Sequence, residues 1–393
     1  MAQPAKAAAP RAAMPMPDAD IAAELDGLAS ARAPPARPPM LVIGHRGSGM
    51  NALASPDERL RGGVRENTLR SFNAAAGHPA VAYVEFDVQV TKDGCPVIFH
   101  DNFIYTEQDG EISGRRVTDL RLDEFLSYGP QRGGQLGTAA GNGKPLLRKL
   151  KDGRVVRWDV RREDALCTLS EALESVDRRV GFNVELKFDD DLAYTDEDLT
   201  RALRAVLGVV SERAGDDRPI VFSSFHPDAA RLLRALQGEY PVYFLTNGGT
   251  QVYADTRRNS LEEAMRLCAG AVLQGVVSEV RAVLRRPEAV AKIKEAGLSL
   301  MTYGQLNNVP EVVYVQHLMG VDGVIVDLVR EIADAVSAFT ASQESSAGSV
   351  DEDGGVIKSE AALHLQAAAA AGTPSFSPRE MSFLLRLIPE LVQ

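Results

Sequence analysis

Short apolar runs rich in Val and Ile recur along the chain between helical-period segments, and this alternation is what most constrains the fold. The runs are "MLVIGH", "AYVEFDV", "PVIFH", "GFNVELK", "PIVFSSF", "PVYFLTN", "LQGVVS", "LSLMTYG" and "VDGVIVD". Strands that alternate with helices pair in parallel and carry their helices on the outside. A closed parallel barrel takes eight strands, and the sequence offers nine. The stretch "VEFDVQVTKDGCPVIFHD" resolves the surplus. A parallel pair needs a crossover of about a dozen residues or more, whereas "TKDG", with Asp93 and Gly94, is a tight turn. "PVIFH" therefore folds back antiparallel on the strand before it and returns His100 to the barrel mouth. The expectation is a TIM (β/α)8 barrel over residues 40–337, with a β-hairpin and an insertion at its C-terminal face.

The remaining segments are expected to lie outside the barrel proper. Residues 1–39 are an Ala/Pro-rich leader that reads as disordered. Residues from about 103 to 165 form an insertion, polar and Gly-rich at "GPQRGGQLGTAAGNGKP", where a lid or a site-flanking loop belongs. Residues 338–374 read as an acidic flexible linker. Residues 375–393, "SPREMSFLLRLIPELVQ" from Ser377, open on a Ser377–Glu380 capping box and carry a Leu384, Leu387, Ile388, Leu391 stripe. This short amphipathic helix is expected to dock on the barrel in cis, with a protein partner as the alternative. Its polar face carries few cations, so membrane-surface binding is the weaker reading.

Charge and cysteine content narrow the function classes. A net charge of −11 argues against general nucleic-acid binding, and no apolar run approaches the roughly 18 residues of a membrane helix. An acidic protein that handles an anion has to supply local positive charge, by a metal ion or by a few placed cations. Cys95, Cys167 and Cys268 are odd in number and widely spaced, which fits buried thiols in a reducing compartment. The leader carries Asp18, Asp20, Glu24 and Asp26 and a single serine, Ser30. That composition points to the cytoplasm, with plastid import as the alternative.

Residues i and i+2 of a strand share a face, so Glu85 and Asp87 point together into the lumen near the upper end of their strand, and Glu185 and Lys187 repeat the geometry. Three converging buried carboxylates repel one another unless paired or bound to a cation, and hard oxygen donors suit Mg²⁺ or Ca²⁺ more than zinc. Barrel lumens also hold Glu–Lys pairs as packed polar layers, and from these residues alone that reading stands beside the metal site. His45 and His100, each at a strand end, are candidates for proton transfer at neutral pH. "ENTLRSFNAAA" reads as a helix start, with Glu66 in its first turn and Asn67 and Thr68 available to cap it. "RGSGMN" is Gly-rich after a strand but lacks the P-loop lysine and the dinucleotide-binding spacing.

Taken in order, "GHRGSGMN", "ENTLRSF", "VEFDVQVTKDGCPVIFHD", "FNVELKFDD", "SSFHPDAARLL" and "GVDGVIVD" resemble the glycerophosphodiester phosphodiesterase family, from Val42 to Asp327. "DEFLSYGPQ" and the C-terminal segment are similar to plant members. The resemblance implies a TIM barrel of the phospholipase C-like phosphodiesterase type. It also implies hydrolysis of glycerophosphodiesters, such as glycerophosphocholine and glycerophosphoethanolamine, to sn-glycerol 3-phosphate and an alcohol. By matching motif, His45 and His100 become the acid–base pair, and Arg46 and Lys187 the phosphate contacts. Glu85, Asp87 and Glu185 become ligands of a divalent cation, Mg²⁺ first, with Ca²⁺ or Mn²⁺ as alternatives, and Glu66 is placed at the edge of that metal site. Tyr303 stands in "LMTYGQLNN" where the family commonly has tryptophan, which keeps an aromatic wall for the substrate pocket.

Two other functions compete with this one. A lysophospholipase D-like activity on monoacyl lipids requires an apolar groove at the mouth, which the polar insertion does not favour. A non-catalytic barrel that only binds glycerophosphodiesters is expected to have lost a histidine or carboxylate, and none is lost here.

Overall fold

Side-chain alternation along the apolar runs decides which way each strand faces, and in the computed structural model of the protein all nine runs are strands. The structure describes residues 40–131, 143–215 and 217–347, with side chains as far as Thr340. The leader, most of the 338–374 segment and the amphipathic segment at 375–393 lie outside the described residues.

The barrel strands are β1 (Leu41–Gly44), β2 (Val81–Val90), β9 (Gly181–Leu186), β10 (Ile220–Ser224), β11 (Val242–Thr246), β12 (Gly275–Glu279), β13 (Ser299–Tyr303) and β14 (Gly323–Val326). Each pairs in parallel with its neighbours, and β1 closes the ring by pairing with both β14 and β2. The chain therefore folds as a TIM barrel. Between β2 and β9 come β3 (Pro96–Ile98), β4 (Phe103–Gln108), β5 (Glu111–Arg116), β6 (Leu147–Lys149), β7 (Val155–Arg157) and β8 (Cys167–Thr168).

On β2, Val84, Phe86 and Val88 turn outward into the core shared with the helices, while Glu85 and Asp87 turn inward. Phe86 is fully buried, with Phe72 at 5.1 Å and Phe182 edge-on at 4.9 Å. Burial of that kind contributes roughly 2–3 kcal/mol per large apolar side chain. The lumen floor is a separate apolar plug of Ile43, Val221, Leu245, Val277, Met301 and Ile325. Glu85, Asp87 and Glu185 sit above it, toward the upper rim.

β3 runs antiparallel to the upper end of β2, pairing Val90 with Pro96 and Val88 with Ile98. The turn is closed by the Gly94 amide on the Thr91 carbonyl (2.9 Å) and by the Thr91 hydroxyl on Asp93 (2.6 Å). Gly94 has φ +83°, a conformation that a side chain disfavours. The Phe99 amide then donates to the Asp87 carbonyl at 2.9 Å, which brings the next residue, His100, back beside the acids.

The insertion carries its own fold. β5, β4, β6 and β7 form a four-stranded antiparallel sheet outside the barrel. Val97, Phe99, Ile104, Val117, Leu120, Phe125, Trp158 and neighbouring residues form a second core beneath it. The Gly-rich centre of the segment, 132–142, lies outside the described residues.

Three local expectations differ from the structure. The helix after "ENT" begins at Leu69 with Thr68 as its cap, so Glu66 precedes the helix and is free to face the site. The closing helix, Val329–Ala347, runs past Ser337, because Val336 and Phe339 still bury against the barrel. Cys95 is partly exposed rather than buried, while Cys167 and Cys268 are buried, and none of the three is in a disulfide. No helix among the described residues is long and apolar enough to cross a membrane.

Candidate active site

The turn after β1 sets the His45 and Arg46 side chains by bending the main chain into a left-handed shape. Arg46 has φ +49° and Asn67 φ +56°, left-handed values that non-glycine residues seldom adopt. Both are held by hydrogen bonds. The Arg46 amide donates to Glu85 Oε2 at 2.9 Å, and the Arg46 carbonyl accepts from the Asn67 amide and the Ser71 hydroxyl, each at 3.0 Å. Gly47 and Gly49, at φ +93° and +112°, let the turn pass close to Ser71 and to the Asp327 backbone.

Glu85, Asp87 and Glu185 converge as the alternation of β2 and β9 requires, since Asp87 and Glu185 are register partners. One oxygen of each lies within 4.8 Å of the others, and all three residues are buried. Asp87 Oδ2 accepts from Asn67 Nδ2 at 2.8 Å, and Lys187 Nζ lies 2.8 Å from Glu185 and 3.5 Å from Asp87. Glu85 Oε1 is buried without a hydrogen-bond partner. Burial, reinforced by Asp87 and Glu185, pushes the Glu85 carboxyl up to about 8. Asp87, although burial opposes it, is held well below the usual range by His100, Arg46 and Lys187.

Six carboxylates meet here, those of Glu66, Glu85, Asp87, Asp101, Glu185 and Asp327, against the fixed cations Arg46, Arg148 and Lys187. The excess of negative charge, the partnerless oxygen and the all-oxygen donor set fit a divalent cation held by Glu85, Asp87 and Glu185. Glu66 stands apart from that trio. Its oxygens are taken by Arg46 Nη1 (2.7 Å), by Arg148 Nη1 and Nη2 (3.0 and 2.9 Å) and by the Asn51 amide. Burial raises its carboxyl, but Arg148 and Arg46 outweigh burial and hold it at about 2. Glu66 is thus an arginine anchor in this arrangement and has no free lone pair facing the other three acids.

Each histidine is backed by a carboxylate. His45 Nδ1 lies 2.7 Å from Asp327 Oδ1, with Nε2 4.0 Å from Glu85. Asp327 is fixed in turn by the Met50 amide and the Asn308 side chain, each at 3.0 Å. His100 Nδ1 lies 2.7 Å from Asp101 Oδ1. A carboxylate at Nδ1 favours the tautomer with its proton there, leaving Nε2 for substrate. Burial lowers both imidazoles. Asp327 and Glu85 reverse this at His45, which is raised, whereas Arg46 and Lys187 add to it at His100, which is lowered.

A cavity of about 400 Å³ opens beside His100 and is lined by Glu185, Lys187, Phe225, Tyr253 and Arg258 among others. Tyr303 stands behind Phe225, edge-on at 5.9 Å, with its hydroxyl on Asn247 and the Thr246 carbonyl. It buttresses the aromatic wall from within the lumen. Its hydroxyl is pushed well up, by burial first and then by Glu279 and Glu185.

Residues 45–331 match the model of the glycerophosphoryl diester phosphodiesterase family. The chain belongs to that family. It is 53% identical over 354 residues to the Arabidopsis thaliana glycerophosphodiester phosphodiesterase GDPD1, chloroplastic, covering 90% of each chain. To GDPD2 of the same plant it is 52% identical over 361 residues, covering 91% of this chain and 90% of the other. Among solved structures it resembles an Oleispira antarctica phosphodiesterase in complex with the product sn-glycerol 3-phosphate. There the TM-score is 0.53 and the identity 21%, covering 76% of this chain and 97% of that one, a likeness of fold. As a family member the chain is an enzyme, a phosphoric diester hydrolase, and the cluster described above lies at the C-terminal end of its barrel, the face where such barrels carry their active sites.

Sequence reasoning did not single out Asp327, Asp101 or Arg148, and it read Asn67 only as a helix cap. Asp327 carried a usable signal, a carboxylate just past the C-terminal end of the last barrel strand. Asp101 adjoins His100, but adjacency says nothing of ring orientation. Arg148 carried none.

Proposed function

We propose that this chain hydrolyses glycerophosphodiesters, glycerophosphocholine and glycerophosphoethanolamine among them, to sn-glycerol 3-phosphate and the free alcohol, with Mg²⁺ as its resident cation. The observation that carries the reading is the buried Glu85–Asp87–Glu185 trio flanked by two carboxylate-backed imidazoles. When bound, the cation supplies positive charge to the non-bridging phosphate oxygens. Arg46 complements it, a buried guanidinium anchored through Nη1 on Glu66 and with Nε 3.4 Å from Asp87. Lys187 is within reach of two of the acids and adds charge where it builds up in the transition state. His45 and His100 divide proton removal from the attacking oxygen and proton delivery to the leaving alkoxide, work worth roughly 10²–10⁴-fold.

The charged and aromatic lining of the 400 Å³ cavity favours a small polar headgroup over an acyl chain. Such a reaction belongs to phospholipid turnover and phosphate recycling. The relative named chloroplastic, matched over 90% of both chains, supports placing the protein in the plastid rather than the cytoplasm. The test is release of glycerol 3-phosphate from glycerophosphocholine by the full chain, with and without EDTA. Release that EDTA abolishes and Mg²⁺ restores is expected. A folded protein that gives none, or that ignores EDTA, overturns the reading.

A further inference from the structure

Arg148 joins two parts of the site that are remote in sequence, and it belongs to neither. It lies on β6, in the sheet outside the barrel. Its guanidinium reaches both oxygens of Glu66 at 3.0 and 2.9 Å and both oxygens of Asp101 at 3.1 Å each. A further bond of 3.2 Å runs to the Asn51 carbonyl. Its flat face rests 4.2 Å from the ring of Trp158, whose indole N–H donates to Asn51 Oδ1 at 3.0 Å. Only 11% of the side chain is exposed. An ordinary surface ion pair is solvated and loosely held; this one is buried, bidentate on two carboxylates and stacked.

Each carboxylate that Arg148 holds also holds a residue of the reaction. Glu66 Oε1 accepts from Arg46 Nη1 at 2.7 Å, and Asp101 Oδ1 faces His100 Nδ1 at 2.7 Å. The five N–H donors of an arginine lie in a rigid planar fork, so fixing one carboxylate fixes the direction of the other. Resting on the proposed reaction, we infer that Arg148 is a positioning residue. It locks the Arg46–Glu66 pair and the His100–Asp101 pair into one frame and makes the outer sheet a working part of the active site. Without it, the buried Glu66 and the partly exposed Asp101 lose their shared partner. Glu66 then competes for Arg46 alone, and the Asp101 carboxylate is free to turn, taking the His100 ring with it.

The test compares Arg148→Ala and Arg148→Lys with the wild-type chain, measuring glycerol 3-phosphate release from glycerophosphocholine at saturating Mg²⁺. Far-UV circular dichroism and a thermal melt report the fold; the fluorescence of Trp158 does not serve, because the ring touches Arg148 itself. For Arg148→Ala, kcat is expected to fall on the order of 10²-fold, as for misplaced catalytic groups generally, with KM little changed. Free guanidinium is expected to restore part of the rate. Arg148→Lys should recover little, because one ammonium cannot span both carboxylates. Adding Asp101→Asn to Arg148→Ala should cost less than the two single losses combined, since both act through one frame.

A wild-type kcat in Arg148→Ala overturns the inference, as does a loss confined to KM or strict additivity with Asp101→Asn. Should Arg148→Ala not fold, Arg148→Lys decides: a wild-type rate there overturns the frame. Absence of release by the wild-type chain itself strikes the proposed reaction and this inference with it, whereas an active wild type with indifferent Arg148 variants strikes this inference alone.

Discussion

The amide of Arg46 donates to Glu85 Oε2 at 2.9 Å, so a backbone atom of the turn after β1 is fastened to one of the three clustered acids. The bond ties β1 to β2 at the rim. It also leaves Glu85 with one oxygen engaged and one, Oε1, buried and without a partner. Oε1 is thus the Glu85 oxygen left open to a further partner.

Glu85→Gln is expected to keep the fold, since the amide oxygen still accepts from Arg46, and to remove cation binding. Ligands that bind the folded state raise the melting temperature, so added Mg²⁺ should raise it for wild type and leave Glu85→Gln unmoved. An equal Mg²⁺ shift in both proteins would take Glu85 out of the ligand set.

His45→Ala and His100→Ala should each lower turnover by roughly 10²–10⁴-fold. The His100 ring is 32% exposed, so its loss should change the melting temperature little, whereas His45→Ala also strips the largely buried Asp327 carboxylate of its imidazole partner and should lower it. Steady-state kinetics beside a thermal melt checks this. A variant at wild-type rate removes that ring from proton transfer.

Asp327 makes stability depend on pH. Burial raises its carboxyl, but His45 and the Met50 and Asn308 hydrogen bonds hold it at about 2. A carboxyl lowered on folding stabilises the native state above its ordinary value, and the contribution fades as pH falls toward 2. Asp327→Asn should therefore cost about 2 kcal/mol near neutrality and nearly nothing in strong acid. Urea unfolding at neutral pH and near pH 3 measures it; a cost that does not shrink with acid would show that the pairing with His45 is not its source.

Phe86 lies between the two acids of β2 and faces the opposite way. Phe86→Ala should destabilise by about 3–5 kcal/mol through the cavity it leaves. It should also weaken Mg²⁺ binding, because the strand that aims Glu85 and Asp87 loses its backing. Calorimetric titration of the folded fraction tests the second effect.

Much of this was legible in the chain because strand alternation is local. Glu85 and Asp87 share a face by spacing alone, Asp93-Gly94 announces a reversal, and both histidines sit at strand ends. What escaped depends on tertiary register. Glu66 reads as a helix-start residue until the helix is seen to begin three residues later at Leu69, after which it is free to anchor Arg46. Arg148 sits in a polar segment among many cations, and only the packing of Trp158 and Leu146 beneath the outer sheet distinguishes it from its neighbours. Asp327 was visible as a strand-end acid, but its pairing with a ring 282 positions away was not.

The hairpin has a consequence for how the site is laid out along the chain. Because β3 doubles back along β2, two of the acids and one imidazole lie on one unbroken stretch from Glu85 to His100. The segment beyond His100 is suspended between two adjacent fixed points, Phe99, whose amide is bonded to Asp87 of β2, and Cys167, which pairs with Ile98 of β3. The insertion of this chain leaves the ring of eight parallel strands uninterrupted, its own sheet standing outside it.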